Sequence, residues 1–106
     1  MEDLKIKALA EAIKVYFKND CNGYSPLNAA RVDVSFEKDD TRCTVHLQKM
    51  HEGIGDWVNF ERLTWLSKLL NTEKINLGRN HYTPGCDTCD HGSKDEIDIV
   101  CDNINP

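Results

Sequence analysis

The spacing of apolar residues along the chain predicts two amphipathic helices. Over residues 2–19, apolar side chains recur every three or four positions while charged side chains fill the opposite side, which is the pattern of a surface helix. The same period predicts a second helix over residues 57–70, with Asp56 as its N-cap. The apolar positions are Ile6, Leu9, Ile13 and Phe17 in the first helix, and Phe60, Leu63, Leu66 and Leu70 in the second.

The second helix carries more apolar surface than one core face requires. Val58, Trp65 and Leu69 form a flank beside its main stripe, so we expect this helix to lie between the sheet and the first helix. The same flank is the surface through which a symmetric dimer would form. A monomer is nevertheless the expected state.

Alternation of apolar and polar residues predicts four strands. Residues 31–37 and 42–48 alternate across a polar turn, and residues 74–78 and 96–101 form a second pair. Such alternation indicates a sheet with one buried face and one wet face. The order α-β-β-α-β-β predicts an α+β fold with a four-stranded antiparallel sheet and two helices on one face. A permuted ferredoxin-like topology has the same order of elements, so it stays open beside the simplest packing.

Length and composition predict one compact domain, residues 1–106. The chain is 40% hydrophobic and 29% charged, as is ordinary for a soluble globular protein. No apolar run approaches the ~20 residues that span a bilayer, and the first residues lack the apolar region of a signal peptide. We therefore expect a cytoplasmic protein with no membrane partner, in which the five cysteines stay reduced.

The net negative charge is confined to the last part of the chain. Residues 1–79 hold equal numbers of acidic and basic residues, so residues 80–106 account for the whole formal charge of −5. Direct binding of duplex nucleic acid is not expected, because phosphates must be neutralised by lysine and arginine. The natural complement is a protein with a basic surface. The candidate partner-binding residues are Asp87, Asp90, Asp95, Glu96 and Asp98.

A long loop between the last two predicted strands holds candidate metal ligands. The loop, residues 79–95, is longer than the ~12–15 residues above which an unstructured connection becomes uncommon. Cys86 and Cys89 stand at C-x-x-C spacing, from which two thiolates reach one tetrahedral zinc ion. We expect a structural zinc ion bound by both cysteines and His81, with either His91 or Cys101 as the fourth ligand.

Other interpretations of this loop stay open. The thiols fit a purely structural role, a labile disulfide or a redox role, although neighbouring aspartates disfavour the thiolate. Calcium binding by the acidic residues lacks the EF-hand spacing, and a solvated acidic edge explains them more simply. Cys86, a histidine and Asp90 make a nucleophile, base and orienter on paper, but no complete catalytic motif accompanies them.

Two classes of function follow from these observations. The first is a non-enzymatic protein-interaction module, an inhibitor or adaptor that acts through its acidic C-terminal hairpin. The alternative is a small metal- or cysteine-dependent enzyme that uses His81, Cys86, Cys89 and His91. In size and acidity the chain resembles small inhibitors encoded by phages and mobile elements, although no motif carries that resemblance.

Overall fold

The computed structural model describes residues 3–19, 31–50, 54, 58–78, 80–85 and 94–106. The elements in chain order are helix α1 (Asp3–Asn19), strands β1 (Arg31–Glu37) and β2 (Arg42–Met50), helix α2 (Phe60–Leu70), and strands β3 (Lys74–Leu77), β4 (His81–Thr83) and β5 (Lys94–Asp102). All the strand pairs are antiparallel, which confirms the predicted α+β class.

Strand β5 lies in the middle of the sheet. One of its edges pairs with β2, which in turn pairs with β1, and its other edge pairs first with β3 and then with β4. Strands β3 and β4 therefore share one position, so the five strands fill the four positions that the sequence predicts. Because the last strand is inserted between β2 and β3, the strand order agrees with the permuted ferredoxin-like arrangement.

The edge formed by β3 and β4 is interrupted by one extra residue. Leu77 pairs with Ile99, whereas His81 pairs with Glu96. The edge thus advances four residues while β5 advances three, which is a β-bulge. Since side chains alternate between faces, the extra residue moves His81 to the outer face, beside Glu96. Without it, His81 would share the core face with Leu77.

Both helices pack against one face of the sheet, as expected. The buried residues of α1 and α2 lie in one cluster with alternate residues of β1, β2 and β5. The members of this core are Leu9, Ile13, Phe17, Val32, Cys43, Val45, Leu47, Ile54, Val58, Leu66, Leu70, Ile97, Ile99, Cys101 and Ile104. In the described part of the chain, neither helix is long and apolar enough to cross a membrane.

Helix α2 begins later than the sequence predicts. Asn59 is its N-cap, and the side chain of Asn59 accepts a hydrogen bond of 3.1 Å from the backbone N–H of Arg62. The predicted cap Asp56 and the first predicted helical residue lie outside the described residues. Phe60, predicted to be a core residue, is 85% exposed. It lies about 100° around the helix axis from the centre of Leu66 and Leu70, at the margin of the apolar stripe.

The turn between β1 and β2 has an unusual backbone. Lys38, Asp39 and Asp40 have φ values of 53°, 55° and 66°, so three successive residues with side chains adopt the left-handed region. The turn is closed by a hydrogen bond of 3.1 Å from the backbone N–H of Thr41 to the carbonyl oxygen of Lys38. A left-handed conformation costs a residue with a Cβ roughly 1–2 kcal/mol.

We expect the substitution Asp39→Gly to raise the free energy of unfolding by about 0.5–1 kcal/mol. Glycine removes the left-handed penalty, and its greater freedom in the unfolded chain offsets part of that gain. Urea denaturation of the variant and the wild type measures the difference. Asp39→Ala is the control, because it removes the same charge but keeps a Cβ. An equal rise in both variants would assign the effect to charge and contradict this explanation.

Candidate functional site

The outer face of the sheet, opposite the helices, carries a cluster of histidines and carboxylates. Residues that pair across antiparallel strands share a face, so His46 of β2, Asp98 and Glu96 of β5 and His81 of β4 all lie on this side. Together with Ile97 they line a depression of about 220 Å³. We refer to His46, His81, Glu96 and Asp98 as the His46 cluster.

The ring of His46 is held between two carboxylates. Its Nδ1 lies 2.6 Å from Oδ1 of Asp98, the residue directly opposite on β5. Its Nε2 lies 3.5 Å from Oε1 of Glu96. A neutral imidazole donates its Nδ1–H to Asp98, and a protonated one makes an ion pair with the same carboxylate. Asp98 therefore fixes the ring plane and directs Nε2 towards Glu96. The sequence alone predicts only an ordinary exposed strand histidine at position 46.

Gly78 makes room for Asp98 at the edge of this cluster. Its N–H donates a hydrogen bond of 2.6 Å to the carbonyl oxygen of Asp98. A Cβ at position 78 would lie 3.1 Å from the Cβ of Asp98 and 3.3 Å from its carbonyl oxygen, closer than ordinary van der Waals contact. Any side chain at this position would press on the carboxylate-bearing residue that orients His46. The glycine thus supports the geometry of the cluster through backbone approach.

His81 is more exposed than His46, and it faces Glu96 across the pair of strands β4 and β5. Its position depends on the bulge, which turns it away from the core. In the ranges that the structure describes, no group of three or more histidine, cysteine, aspartate or glutamate side chains is arranged to hold a metal ion. The cluster combines two carboxylates with two imidazole rings, which makes it an anionic and hydrogen-bonding surface.

The loop with the C-x-x-C pair is shorter than the sequence predicts. Residues 81–83 form β4, and β5 begins at Lys94, two residues before the predicted start at 96. The connection between the two strands is therefore residues 84–93, within the usual range of loop lengths. The length of this connection is therefore no longer an argument for a bound ion that holds it. Five of the predicted site residues lie outside the described residues, namely Cys86, Asp87, Cys89, Asp90 and His91.

Cys101 cannot complete a metal site together with His81. It lies on the core face of β5, is fully buried and is directly opposite Cys43 of β2. His81 projects from the other face of the sheet, so one ion cannot contact both side chains. Burial raises the pKa of both thiols to about 12. The neighbouring thiol of Cys101 adds to the rise in the pKa of Cys43, and Asp102 adds to the rise in the pKa of Cys101. Both cysteines are free thiols that behave as small apolar core residues.

Asp95, which the sequence predicts to bind a partner, is buried. Its side chain is only 3% exposed, on the core side of β5. Its Oδ2 accepts a hydrogen bond of 2.9 Å from the backbone N–H of Ile54, which is itself fully buried. The carboxylate therefore holds the backbone of Ile54 against the sheet, and it offers no surface to a partner.

Two further pairs of opposite charges lie on the outer face. Nε of Arg42 donates a hydrogen bond of 2.6 Å to Oδ1 of Asp102, and both side chains are about 70% buried by their neighbours, at 30% and 27% exposure. This hydrogen bond lowers the pKa of Asp102 and raises the pKa of Arg42. Arg31 and Asp33 approach within 3.5 Å in an open position, where such a pair contributes little.

Comparisons of this chain with protein-family models, with curated proteins and with solved structures find no match.

We expect the stability of the protein to fall above pH 9 because of Cys43 and Cys101. Their folded pKa of about 12 exceeds the ordinary value of 9.0, so the unfolded chain loses these protons first. The thiol contribution is fully present below pH 9 and is lost between pH 9 and pH 12, by roughly 1.4 kcal/mol per pH unit for each thiol.

Denaturation at several pH values, with wild type and with Cys43→Ala/Cys101→Ala, measures this dependence. The variant is less stable at neutral pH because of the lost volume, so the comparison is between slopes and not between absolute stabilities. Above pH 9, the free energy of unfolding should fall less steeply with pH in the variant than in wild type. Identical slopes would contradict the buried-thiol explanation.

Proposed function

We propose that the protein is a non-enzymatic interaction module, an inhibitor or adaptor, that binds a basic surface of a partner protein through the outer face of its sheet. The observation that carries the proposal is the arrangement of the half-buried Glu96 and Asp98 around His46, on a face that neither helix covers. In this proposal the contact surface is the His46 cluster, and the acidic residues of the loop, Asp87 and Asp90, extend it.

Charge supports the choice of a basic partner. Residues 80–106 contribute the whole formal charge of −5, and two of their carboxylates stand on the cluster. An arginine or lysine side chain that enters the depression meets Glu96, whose nearest described contact is the long 3.5 Å approach to His46. Arginine is the better complement, because its planar guanidinium binds a carboxylate in bidentate fashion and stacks on an imidazole ring.

The described residues favour binding over catalysis. The side chains that line the depression include no serine, threonine, cysteine or lysine to act as a nucleophile. The two described thiols are buried on the opposite face of the sheet and have raised pKa values. A histidine oriented by an aspartate is one component of a hydrolytic site, but the cluster supplies no second component.

We expect Glu96→Gln/Asp98→Asn to reduce recovery of the partner by about tenfold, because electrostatic complementarity governs the rate of encounter and the choice of partner. The tagged protein is used to capture partners from an extract of its own cells, and recovery is quantified by mass spectrometry at low and moderate salt. Partner recovery by wild type should also fall as salt rises.

The control for this experiment is Glu11→Gln/Glu73→Gln, which removes two exposed carboxylates from the helical side of the molecule. A partner that binds the outer face should be recovered equally by this control variant and by wild type. Equal recovery by all three proteins would reject the outer face as the binding surface. Thermal unfolding of each variant establishes that the fold is intact before the comparison is made.

We also propose a structural zinc ion at Cys86 and Cys89, with His81 and His91 as the other ligands. This proposal rests on the C-x-x-C spacing and on the position of His81, four residues before the described segment ends at Gly85. Cytoplasmic localisation belongs to the same set of proposals, and the free thiols of Cys43 and Cys101 agree with a reducing compartment.

Metal analysis of protein purified without a histidine tag tests the zinc site. We expect about one zinc ion per chain, and we expect Cys86→Ser to abolish it, because two thiolates supply half of a tetrahedral site. His46→Asn is the matched control, since it removes a histidine from the sheet face but none from the proposed ligands. Protein that is free of zinc, after purification without chelators, would refute this site.

A further inference from the structure

The helical side of the protein has an exposed surface that neither the core nor the His46 cluster uses. Phe60, at the start of α2, is 85% exposed although it is a large apolar residue. It borders a groove of about 480 Å³ between the two helices. The residues that line this groove, here called the α2 groove, are Tyr16, Phe60, Glu61, Thr64, Trp65 and Lys68.

The aromatic wall of the α2 groove is held in place by the core. The rings of Tyr16 and Trp65 are stacked with centroids 3.8 Å apart and planes within 2° of each other. Phe17, which is fully buried, meets Tyr16 edge-on at 5.3 Å and Trp65 edge-on at 6.4 Å. The groove therefore presents a preformed aromatic surface next to an exposed phenylalanine, and contiguous apolar surface of this kind marks an interaction site.

The charges along the groove have a palindromic arrangement. Glu61 precedes Lys68 by seven residues, which is two helical turns or about 10.5 Å. The midpoint between them falls between Thr64 and Trp65. When a second copy of α2 crosses this midpoint in the antiparallel direction, its Lys68 lies opposite Glu61 and its Glu61 lies opposite Lys68. The small side chain of Thr64 at the centre permits the close approach of two packed helices.

We propose that the α2 groove is a homodimer interface, in which two copies pack α2 against α2 about a two-fold axis. Phe60 of each copy lies against Trp65 and the aliphatic stem of Lys68 of the other copy. Every contact occurs twice, because a two-fold interface uses the same surface on both molecules. We commit to a second copy as the occupant because the groove is complementary in charge to itself: Glu61 meets Lys68 twice when two grooves face each other in the antiparallel direction.

This interface differs from the flank that the sequence singles out. Val58 is buried in the core of its own chain, and Leu69 packs against that core. Trp65 alone is common to the predicted flank and the groove. The groove lies in the helical layer and the His46 cluster lies on the opposite face of the sheet, so dimerisation leaves the proposed partner-binding surface accessible.

The first test is the molecular mass across a concentration series, measured by light scattering or sedimentation equilibrium. The mass should rise with concentration from 12.1 kDa towards twice that value. Phe60→Ser should raise the dissociation constant of the dimer by roughly tenfold or more, as expected for an aromatic anchor. Leu4→Ser is the matched control, because Leu4 is a 79% exposed apolar residue outside the groove, and this variant should dimerise as wild type does.

The second test exchanges the charges. Glu61→Lys places like charges opposite each other in a homodimer, and Lys68→Glu does the same with the opposite sign. Each variant alone should therefore be monomeric at concentrations where wild type dimerises. When the two variants are mixed, both cross-pairs are again oppositely charged, so a one-to-one heterodimer should form. Recovery in the mixture also shows that both variants are folded.

Three results would overturn the proposal. The first is a wild-type mass of one chain at every concentration, and the second is a dimer that is insensitive to Phe60→Ser and to both charge reversals. The third is a dimer that each charge reversal abolishes and that mixing fails to restore, which would mean that the two side chains do not face each other. A foreign protein or a small ligand as the true occupant of the groove would produce the first of these results.

Discussion

The pairing of β5 with strands on both of its edges is the constraint on which the rest of the structure depends. Ile97, Ile99 and Cys101 enter the core, while Glu96 and Asp98 project from the outer face. A slip of one residue against β2 would exchange these sets, so it would bury carboxylates without partners and expose the apolar residues. The hydrophobic pattern of this one strand therefore fixes the core and the position of the anionic surface together.

The same register explains why charge is concentrated at one place on the outer face. One row across the sheet joins Glu37, Arg42, Asp102 and Lys74, in which acidic and basic residues alternate. Another row joins Asp33, His46 and Asp98, and no lysine or arginine stands in it. The first row is largely neutralised by its own neighbours, as the bond between Arg42 and Asp102 shows. Among the described carboxylates of the C-terminal segment, Glu96 and Asp98 are consequently the two displayed around His46, where a cationic group from outside has least competition.

Periodicity in the sequence correctly predicts the α+β class and helix α1. It also predicts which residues of each long strand face the core and which face outwards. These features are predictable because they depend on residues that are close together in the chain. The order of strands depends on pairing over long distances, which alternation does not reveal. For this reason His46 is recognisable as an outward-facing residue, but its contact with Asp98 is not. The burial of Asp95 escapes prediction in a similar way, since its hydrogen bond to Ile54 joins segments 41 residues apart. The one local signal near the site is Gly78, because a glycine inside a strand pattern commonly marks a bulge or a close backbone approach.

The change of register between β3 and β4 decides which residues of β4 face the His46 cluster. In an uninterrupted register, His81 and Thr83 would point towards the core and Tyr82 would point outwards. The inserted residue reverses this, so that Tyr82 takes the core side while His81 and Thr83 share the face of Glu96 and Lys94. All three residues of β4 are exposed, with Tyr82 at 42%, so the offset changes which side chains stand beside Glu96 without burying any of them. The offset in register between β3 and β4 thus brings a second histidine to the His46 cluster, because it places His81 opposite Glu96 on the outer face.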